Sequence, residues 1–365
     1  MIYLDYASTF PTYKSIIEKI PEILNQYDFN PSARYGVALK TKDFLYNLRN
    51  ELALFFNVSP FQLIFTSSAT ESINTVLRGL NIKHKNKILT SKFEHKAVLE
   101  TLKSLKSVNT CLLKTHKGYV EYEDFIDTIC EETKLVSIIH INNETGAYSD
   151  IKSIAKKIKK KYPYVLIMCD MAQSFGKIDL SLENIDFAVM SSHKIGGLKG
   201  SGLLFVRNPE MLNPLITGGG QEFKLRSGTE NVLSIWSMVE ALKITQKQYK
   251  ENVNYIKILN EELTEFCKSN NFKINSPENS VDWIFNFSTM RIFSEIMINY
   301  LSSKGIYISS ASACSGKSRS HVLKNMKFGD NVINTAIRVS LSFQTEKQDV
   351  YTLCNEIENA IKILI

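Results

Sequence analysis

No Cys-x-x-Cys pair occurs in this 365-residue chain, whose six cysteines stand apart at 111, 130, 169, 267, 314 and 354. That spacing excludes a thiolate metal site, and unpaired thiols suit a reducing compartment. No apolar run approaches the roughly 20 residues of a membrane-spanning helix, so no membrane association is expected. Repeats, low-complexity tracts and extended linkers are also missing, which argues against solenoid and disordered classes. Strand-like sequence begins at Ile2 with Asp5 close behind, and neither a secretory nor an organellar signal is visible. A cytoplasmic location is therefore expected.

Charge of one sign is scarce as well. The formal net charge is +7, from 44 Lys and Arg against 37 Asp and Glu, a modest excess that gives no reason to expect direct nucleic-acid binding. Its densest patch, Lys156-Lys157-Ile158-Lys159-Lys160-Lys161, falls on a helix whose Ile151, Ile154 and Ile158 make one apolar stripe. A solvated helix face is the preferred reading, with an acidic acceptor protein or RNA as the alternative.

With 44% hydrophobic and 22% charged residues, the chain can bury a large core and is long enough for two domains. Strand-like runs at 62–66, 135–141, 165–170, 186–191 and 202–206 alternate with helical patterns, the signature of a parallel α/β sheet. After about residue 250 the pattern changes to a helix over 255–267, then Trp283-Ile284-Phe285-Asn286-Phe287, another helix and a strand around Arg338. This predicts a large domain over 15–250. A smaller α+β domain takes 1–14 with 251–365 and closes over the site.

Three motifs carry the chemistry. Ser191-Ser192-His193-Lys194 directly follows the strand-like run Asp186-Phe187-Ala188-Val189-Met190, a placement that suits an amine forming a Schiff base beside a phosphate. Val165-Leu166-Ile167-Met168-Cys169 delivers Asp170-Met171-Ala172-Gln173 at its end, where a carboxylate can pair with a protonated pyridine nitrogen. About one αβ unit separates Asp170 from Lys194, which predicts neighbouring parallel strands opening on one crevice. Gln62-Leu63-Ile64-Phe65-Thr66 leads into Ser67-Ser68-Ala69-Thr70-Glu71 and a helix, so free N–H groups and the positive helix end meet an anion there. Ser68 and Glu71 also satisfy a plain capping box.

With these motifs in order, the chain resembles the class V aminotransferase family of pyridoxal-phosphate enzymes of fold type I, and within it the cysteine desulfurases. The resemblance runs almost end to end, through Ile2-Tyr3-Leu4-Asp5-Tyr6-Ala7, Glu94-His95-Lys96-Ala97-Val98, Asn142-Asn143-Glu144-Thr145-Gly146, Gly218-Gly219-Gly220-Gln221-Glu222, Arg226-Ser227-Gly228-Thr229, Ser312-Ala313-Cys314-Ser315 and Ile337-Arg338-Val339-Ser340-Leu341. It implies a mainly parallel seven-stranded sheet flanked by helices, a smaller α+β C-terminal domain, and a homodimer with sites near the interface. Lys194 would hold pyridoxal 5'-phosphate, Asp170 would pair with its ring nitrogen, and Gln173 would bond its phenolic oxygen. His95 would stack on the ring. Ala69, Thr70, Ser191 and His193 would seat the phosphate, with Thr229 supplied by the other subunit. Asn143 and Arg338 would orient the cofactor and clamp the substrate carboxylate, the latter by arginine's planar fork.

Cys314 sets the expected reaction. It lies in the small-residue stretch 309–320 with Lys317 and Arg319 nearby, and a close cation favours the thiolate. The other five cysteines read as core or incidental, without activating neighbours. L-cysteine would give L-alanine and a persulfide on Cys314, destined for a scaffold protein of iron–sulfur cluster assembly or a tRNA-thiolating enzyme. Alternatives are another class V aminotransferase or lyase, for example a selenocysteine lyase, and a non-catalytic homologue that binds a partner.

Four positions depart from the family pattern. Ser68 stands where glycine is usual, Phe223 where arginine follows Gln221-Glu222, Tyr35 where histidine is usual and Leu198 where proline is usual. Serine at 68 would be strained only if φ were positive there, and Phe223 is expected to lose a polar contact. The stretch around Cys314 is also shorter than its common long form.

Overall fold

Strands buried on both faces read as unbroken apolar runs, and the runs named above become neighbours in one sheet. The computed structural model describes residues 1–82, 85–106, 108–310 and 319–365. Its first part comprises β1 (Ile2–Tyr3), α1 (Lys14–Tyr27), α2 (Gly36–Phe56), β2 (Leu63–Thr66), α3 (Ala69–Gly79), β3 (Lys87–Thr90), α4 (Lys96–Ser104) and β4 (Asn109–Leu112). There follow α5 (Glu123–Ile126), β5 (Thr133–Ile139), α6 (Ile151–Lys161), β6 (Leu166–Asp170), β7 (Phe187–Ser191), β8 (Gly202–Val206) and α7 (Val232–Ser269). The last part holds β9 (Lys273–Ile274), β10 (Ile284–Ser288), α8 (Ser294–Ser303), β11 (Ile306–Tyr307), β12 (Ser309–Ser310), α9 (His321–Asn325), α10 (Asp330–Asn334), β13 (Ala336–Ser340) and α11 (Lys347–Leu364).

Among the described residues, seven strands form one sheet in the order β2-β8-β7-β6-β5-β3-β4. Every pair from β7 to β4 is parallel, and β8 runs antiparallel to both of its neighbours. The expected mainly parallel sheet is therefore present. Side chains alternate between its faces with period two. Ile167, Cys169, Ala188 and Met190 join the core beneath α1, α2 and α7, whereas Met168, Phe187 and Val189 join Ile73, Val76, Val98 and Leu102 of α3 and α4. Neither β3 nor β4 was read from the sequence. Each has only four residues, and β4 is a part-exposed edge strand whose apolar signal is faint.

A second sheet has the order β12-β13-β10-β9. The N-terminal segment bridges the two. Leu4 N–H donates to the Tyr307 carbonyl at 2.9 Å and Ser340 N–H to the Leu4 carbonyl at 2.8 Å, while Phe10 N–H donates to the His193 carbonyl at 2.8 Å. Helix α7 runs unbroken from Val232 to Ser269, so it passes through residue 250 where the sequence pattern changes. Most lysines of α6 face solvent, and Lys159 pairs with Asp186 at 2.7 Å.

A buried ion pair anchors the turn before α7. Arg49 meets both carboxylate oxygens of Glu222, at 2.6 and 2.9 Å, and Glu222 also accepts from the Phe65 amide at 2.7 Å. Phe223 lies over the guanidinium at 4.9 Å with Phe65 at 4.4 Å, so the aromatic ring at this position replaces a polar contact by cation–π stacking. Glu222, Phe223 and Lys224 all have positive φ, a strained run that the buried pair holds in place. Removing one partner leaves an uncompensated buried charge, which costs about 3–5 kcal/mol. Arg49→Met is therefore expected to lower the unfolding free energy by about that amount in urea titration; a loss below about 1 kcal/mol would show that the pair is not the anchor.

Candidate functional site

The register of β6 and β7 builds the floor. Met168 faces Phe187, Cys169 faces Ala188 and Asp170 faces Val189, so parallel strands end together with Asp170 on one and Ser191 on the next. A single turn, Ser192–Lys194, then carries Lys194 over the edge. A cavity of about 420 Å³ opens there, lined by Asp170, Gln173, Ser191, His193 and Lys194 together with Ala69, Thr70, His95, Asn143 and Arg338. Thr229 is exposed and stands outside this wall. Cys314 and Lys317 lie outside the described residues, and Arg319 pairs with Asp330 at 2.9 Å.

Each side chain is held from behind. Lys194 Nζ donates to the carbonyls of Ala7 and Ser8 at 2.8 and 2.7 Å. Burial raises the pKa of Asp170, opposed by the His95 charge, by the Ala172 amide at 3.0 Å and by Lys194. Gln173 donates to the Ala7 carbonyl at 2.8 Å, and its Oε1 is buried without a partner. His95 caps α4 by accepting from the Ala97 amide at Nδ1, 3.1 Å away. Burial, with the Lys194 charge next, pushes His193 down to about 4.

Arg338 is more heavily engaged than the sequence suggested. Its Nη2 donates to Asp5 at 2.6 Å and Ser8 Oγ at 2.7 Å, its Nη1 to the Asn143 carbonyl at 2.8 Å, and its Nε is buried without a partner. The resident Asp5 carboxylate already shares the guanidinium.

At the start of α3, Ser68 Oγ accepts from the Glu71 amide at 3.1 Å, while Glu71 reaches the Ser67 amide at 2.9 Å and Arg226 at 3.0 Å. Ser68 has φ −173°, extended backbone that any residue adopts, so serine in place of glycine carries no strain. The glycine this turn does require is Gly202, whose added Cβ would lie 2.6 Å from Ser68 backbone. Leu198 likewise gains by not being proline, since its amide donates to Ser237 Oγ at 2.9 Å.

Sequence reasoning gave no role to Ser8, Lys96, Glu144 or His321, all on the cavity wall. Glu144 was inside a quoted motif, and His321 is the first residue of α9; pattern alone could not aim either side chain inward. Burial pushes the Glu144 carboxyl up to about 7. One other reading needs correction. Cys130 does have a cationic neighbour, with Lys87 Nζ 3.2 Å from its sulfur, because the start of β3 pairs with the start of β5 just after Cys130.

Together these groups offer an amine, a buried carboxyl, a buried amide and hydroxyls at a helix start. That set fits a ring carrying an aldehyde, a basic nitrogen and a phosphate. No group of three or more metal-ligating side chains occurs among the described residues.

Comparison with known proteins gives the same answer. A cysteine desulfurase IscS of Buchnera aphidicola subsp. Baizongia pistaciae is 35% identical over 96% of this chain and 91% of its own length. A solved NifS-like protein superposes with a TM-score of 0.92 at 31% identity, covering 99% of each chain. A structure titled SspA in complex with cysteine superposes with a TM-score of 0.80 at 28% identity, over 94% of this chain and 99% of its own. The aminotransferase class-V family model matches residues 2–353, and with the strand-end lysine and aspartate on one cavity this chain belongs to that pyridoxal-phosphate-dependent family.

Proposed function

We propose that this chain is a pyridoxal-phosphate-dependent cysteine desulfurase, converting L-cysteine to L-alanine and leaving the sulfur as a persulfide on Cys314. The observation that carries it is the delivery of Asp170 and Lys194 from adjacent parallel strands to one cavity. Cysteine as substrate is further supported by relatives of nearly equal length that bear the desulfurase name and by the cysteine complex of a similar structure.

Lys194 would bind the cofactor, Asp170 would face its ring nitrogen and Gln173 its phenolic oxygen, with His95 stacked on the ring. Ala69, Thr70, Ser191 and His193 would seat the phosphate. Pyridoxal phosphate bound there supplies an aldehyde for the substrate amine and an electron-poor ring that withdraws electrons from Cα. The chain's own residues do the rest. Arg338 and Asn143 orient the substrate carboxylate, with Asp5 and Ser8 fixing the guanidinium. The Lys194 amine, held against two backbone carbonyls, would take the Cα proton. The Cys314 thiolate then attacks the sulfur of cysteine.

The reading extends to a homodimer in which Thr229 reaches the other subunit's phosphate. Residues 15–250 form the large domain, and 1–14 with 251–365 the small one, α7 serving both. The acceptor is a scaffold or tRNA-thiolating protein in the cytoplasm. No described helix is long and apolar enough to cross a membrane.

Three measurements test this. Purified protein should bind pyridoxal phosphate with visible absorbance and form alanine from cysteine, and Lys194→Ala should lower that rate by about 10²–10⁴-fold; a variant that retains the rate would sink the assignment. Cys314→Ser should keep the colour but lose persulfide and alanine formation, whereas normal turnover with a thiol acceptor would remove Cys314 from the mechanism. Arg338→Lys should raise the KM for cysteine by about 10–100-fold, since a lost charged fork is worth about 1.5–3 kcal/mol. An unchanged KM would place the substrate carboxylate elsewhere.

A further inference from the structure

Two groups in the cavity wall have no part in the chemistry above, and they face each other. Glu144 is 5% exposed and belongs to the turn after β5; His321 is the first residue of α9. Glu144 Oε1 lies 3.8 Å from His321 Nδ1, and Glu144 Oε2 accepts from Ser320 Oγ. On the far side of the ring, His321 Nε2 is 3.1 Å from the Glu94 carbonyl oxygen. A carbonyl only accepts, so the hydrogen stands on Nε2, and the lone pair of the neutral ring at Nδ1 points to Glu144. The turn itself is rigid. Asn142 Oδ1 accepts from the amides of Glu144 and Thr145 at 2.9 and 3.0 Å, and Asn286 donates to the Glu144 carbonyl at 2.9 Å.

Position ties this pair to the substrate. Asn143, the residue before Glu144, receives Arg338 Nη1 at 2.8 Å, so the guanidinium and the pair rest on one turn. His95 Nδ1 is already committed to the Ala97 amide. We propose, on the reading that the chain removes sulfur from L-cysteine, that Glu144 and His321 form one proton-sharing pair that takes the proton of a thiol and returns it to the carbon losing sulfur. The bookkeeping of atoms closes without an outside reagent. A thiol S–H breaks as Nδ1–H forms; the thiolate makes the S–S bond, the C–S bond breaks, and its electron pair takes the Nδ1 proton as the methyl C–H of alanine.

Electrostatics agree with this exchange. Burial raises Glu144 to about 7, opposed by the Ser320 hydrogen bond and by the charges of Arg338, Lys96 and His95. Burial lowers His321, opposed by the Glu94 carbonyl and reinforced by Lys96 and His95, with Glu100 acting upward. A neutral imidazole thus waits beside a carboxyl that changes state near neutrality. Above its pKa the Glu144 carboxylate stabilises the imidazolium, so turnover should rise with pH through that range.

The test uses the pyridoxal-phosphate-loaded enzyme and follows alanine formation from L-cysteine against pH. Wild type should show a rising limb near pH 7 in kcat. Glu144→Gln, which keeps an acceptor for Ser320, should lose that limb and about 10²-fold in kcat, with KM within about threefold. Glu144→Asp should restore the limb, and His321→Gln should match Glu144→Gln. In parallel, ¹⁵N NMR of the imidazoles in cofactor-free protein should show a His321 titration that shifts in Glu144→Gln. An unchanged limb and kcat in Glu144→Gln, or a His321 titration indifferent to residue 144, overturns the pair. Wild type that makes no alanine overturns the desulfurase reading instead, and the NMR titration then decides the pair on its own.

Discussion

Everything in the site hangs on parallel pairing of three strands. Because β5, β6 and β7 run the same way in near-matched register, their carboxyl ends open on one crevice, where unsatisfied strand-end geometry leaves room for a ligand. His140 to Glu144, Asp170 to Gln173 and Ser191 to Lys194 all follow from that edge. A one-residue slip in β6 would turn Asp170 from the cavity into a helix-covered face, which is why its neighbours Met168 and Cys169 are packed on opposite sides.

A second tie closes the cavity from above. The N-terminal segment hydrogen-bonds to β11 and β13 and also to the turn that carries Lys194. The same few residues therefore hold the amine, through Ala7 and Ser8, and the guanidinium, through Asp5 and Ser8. Burying Arg338 without the Asp5 partner would be costly, so this ion pair both stabilises the small sheet and aims the group that would meet a carboxylate. A carboxylate bound there would have to share the guanidinium with Asp5.

Local departures from the family pattern turn out to be accommodated by backbone geometry. Ser68 sits in an extended conformation, and the close approach that needs glycine falls on Gly202 of the facing strand. Leu198 supplies an amide donor that proline lacks. Phe223 covers Arg49 and meets Phe61 edge-on at 5.0 Å, while Tyr35 remains exposed before α2. Ser68, Leu198 and Phe223 are each absorbed by a partner at hand, and nothing in the structure explains Tyr35.

Apolar runs at residues 62–66, 135–141, 165–170, 186–191 and 202–206 were sufficient to foretell one sheet buried on both faces, since such strands need continuous hydrophobicity, but not that the runs at 62–66 and 202–206 pair antiparallel. Placement of Asp170 and Lys194 at strand ends was legible for the same reason. Edge strand β4 and short β3 were not, because a half-exposed strand of four residues leaves little pattern. Tertiary structure alone brought Glu144 against His321, Arg338 against Asp5 and Lys87 against Cys130. These contacts join residues far apart in the chain, and no periodicity encodes which side chains meet when distant elements pack.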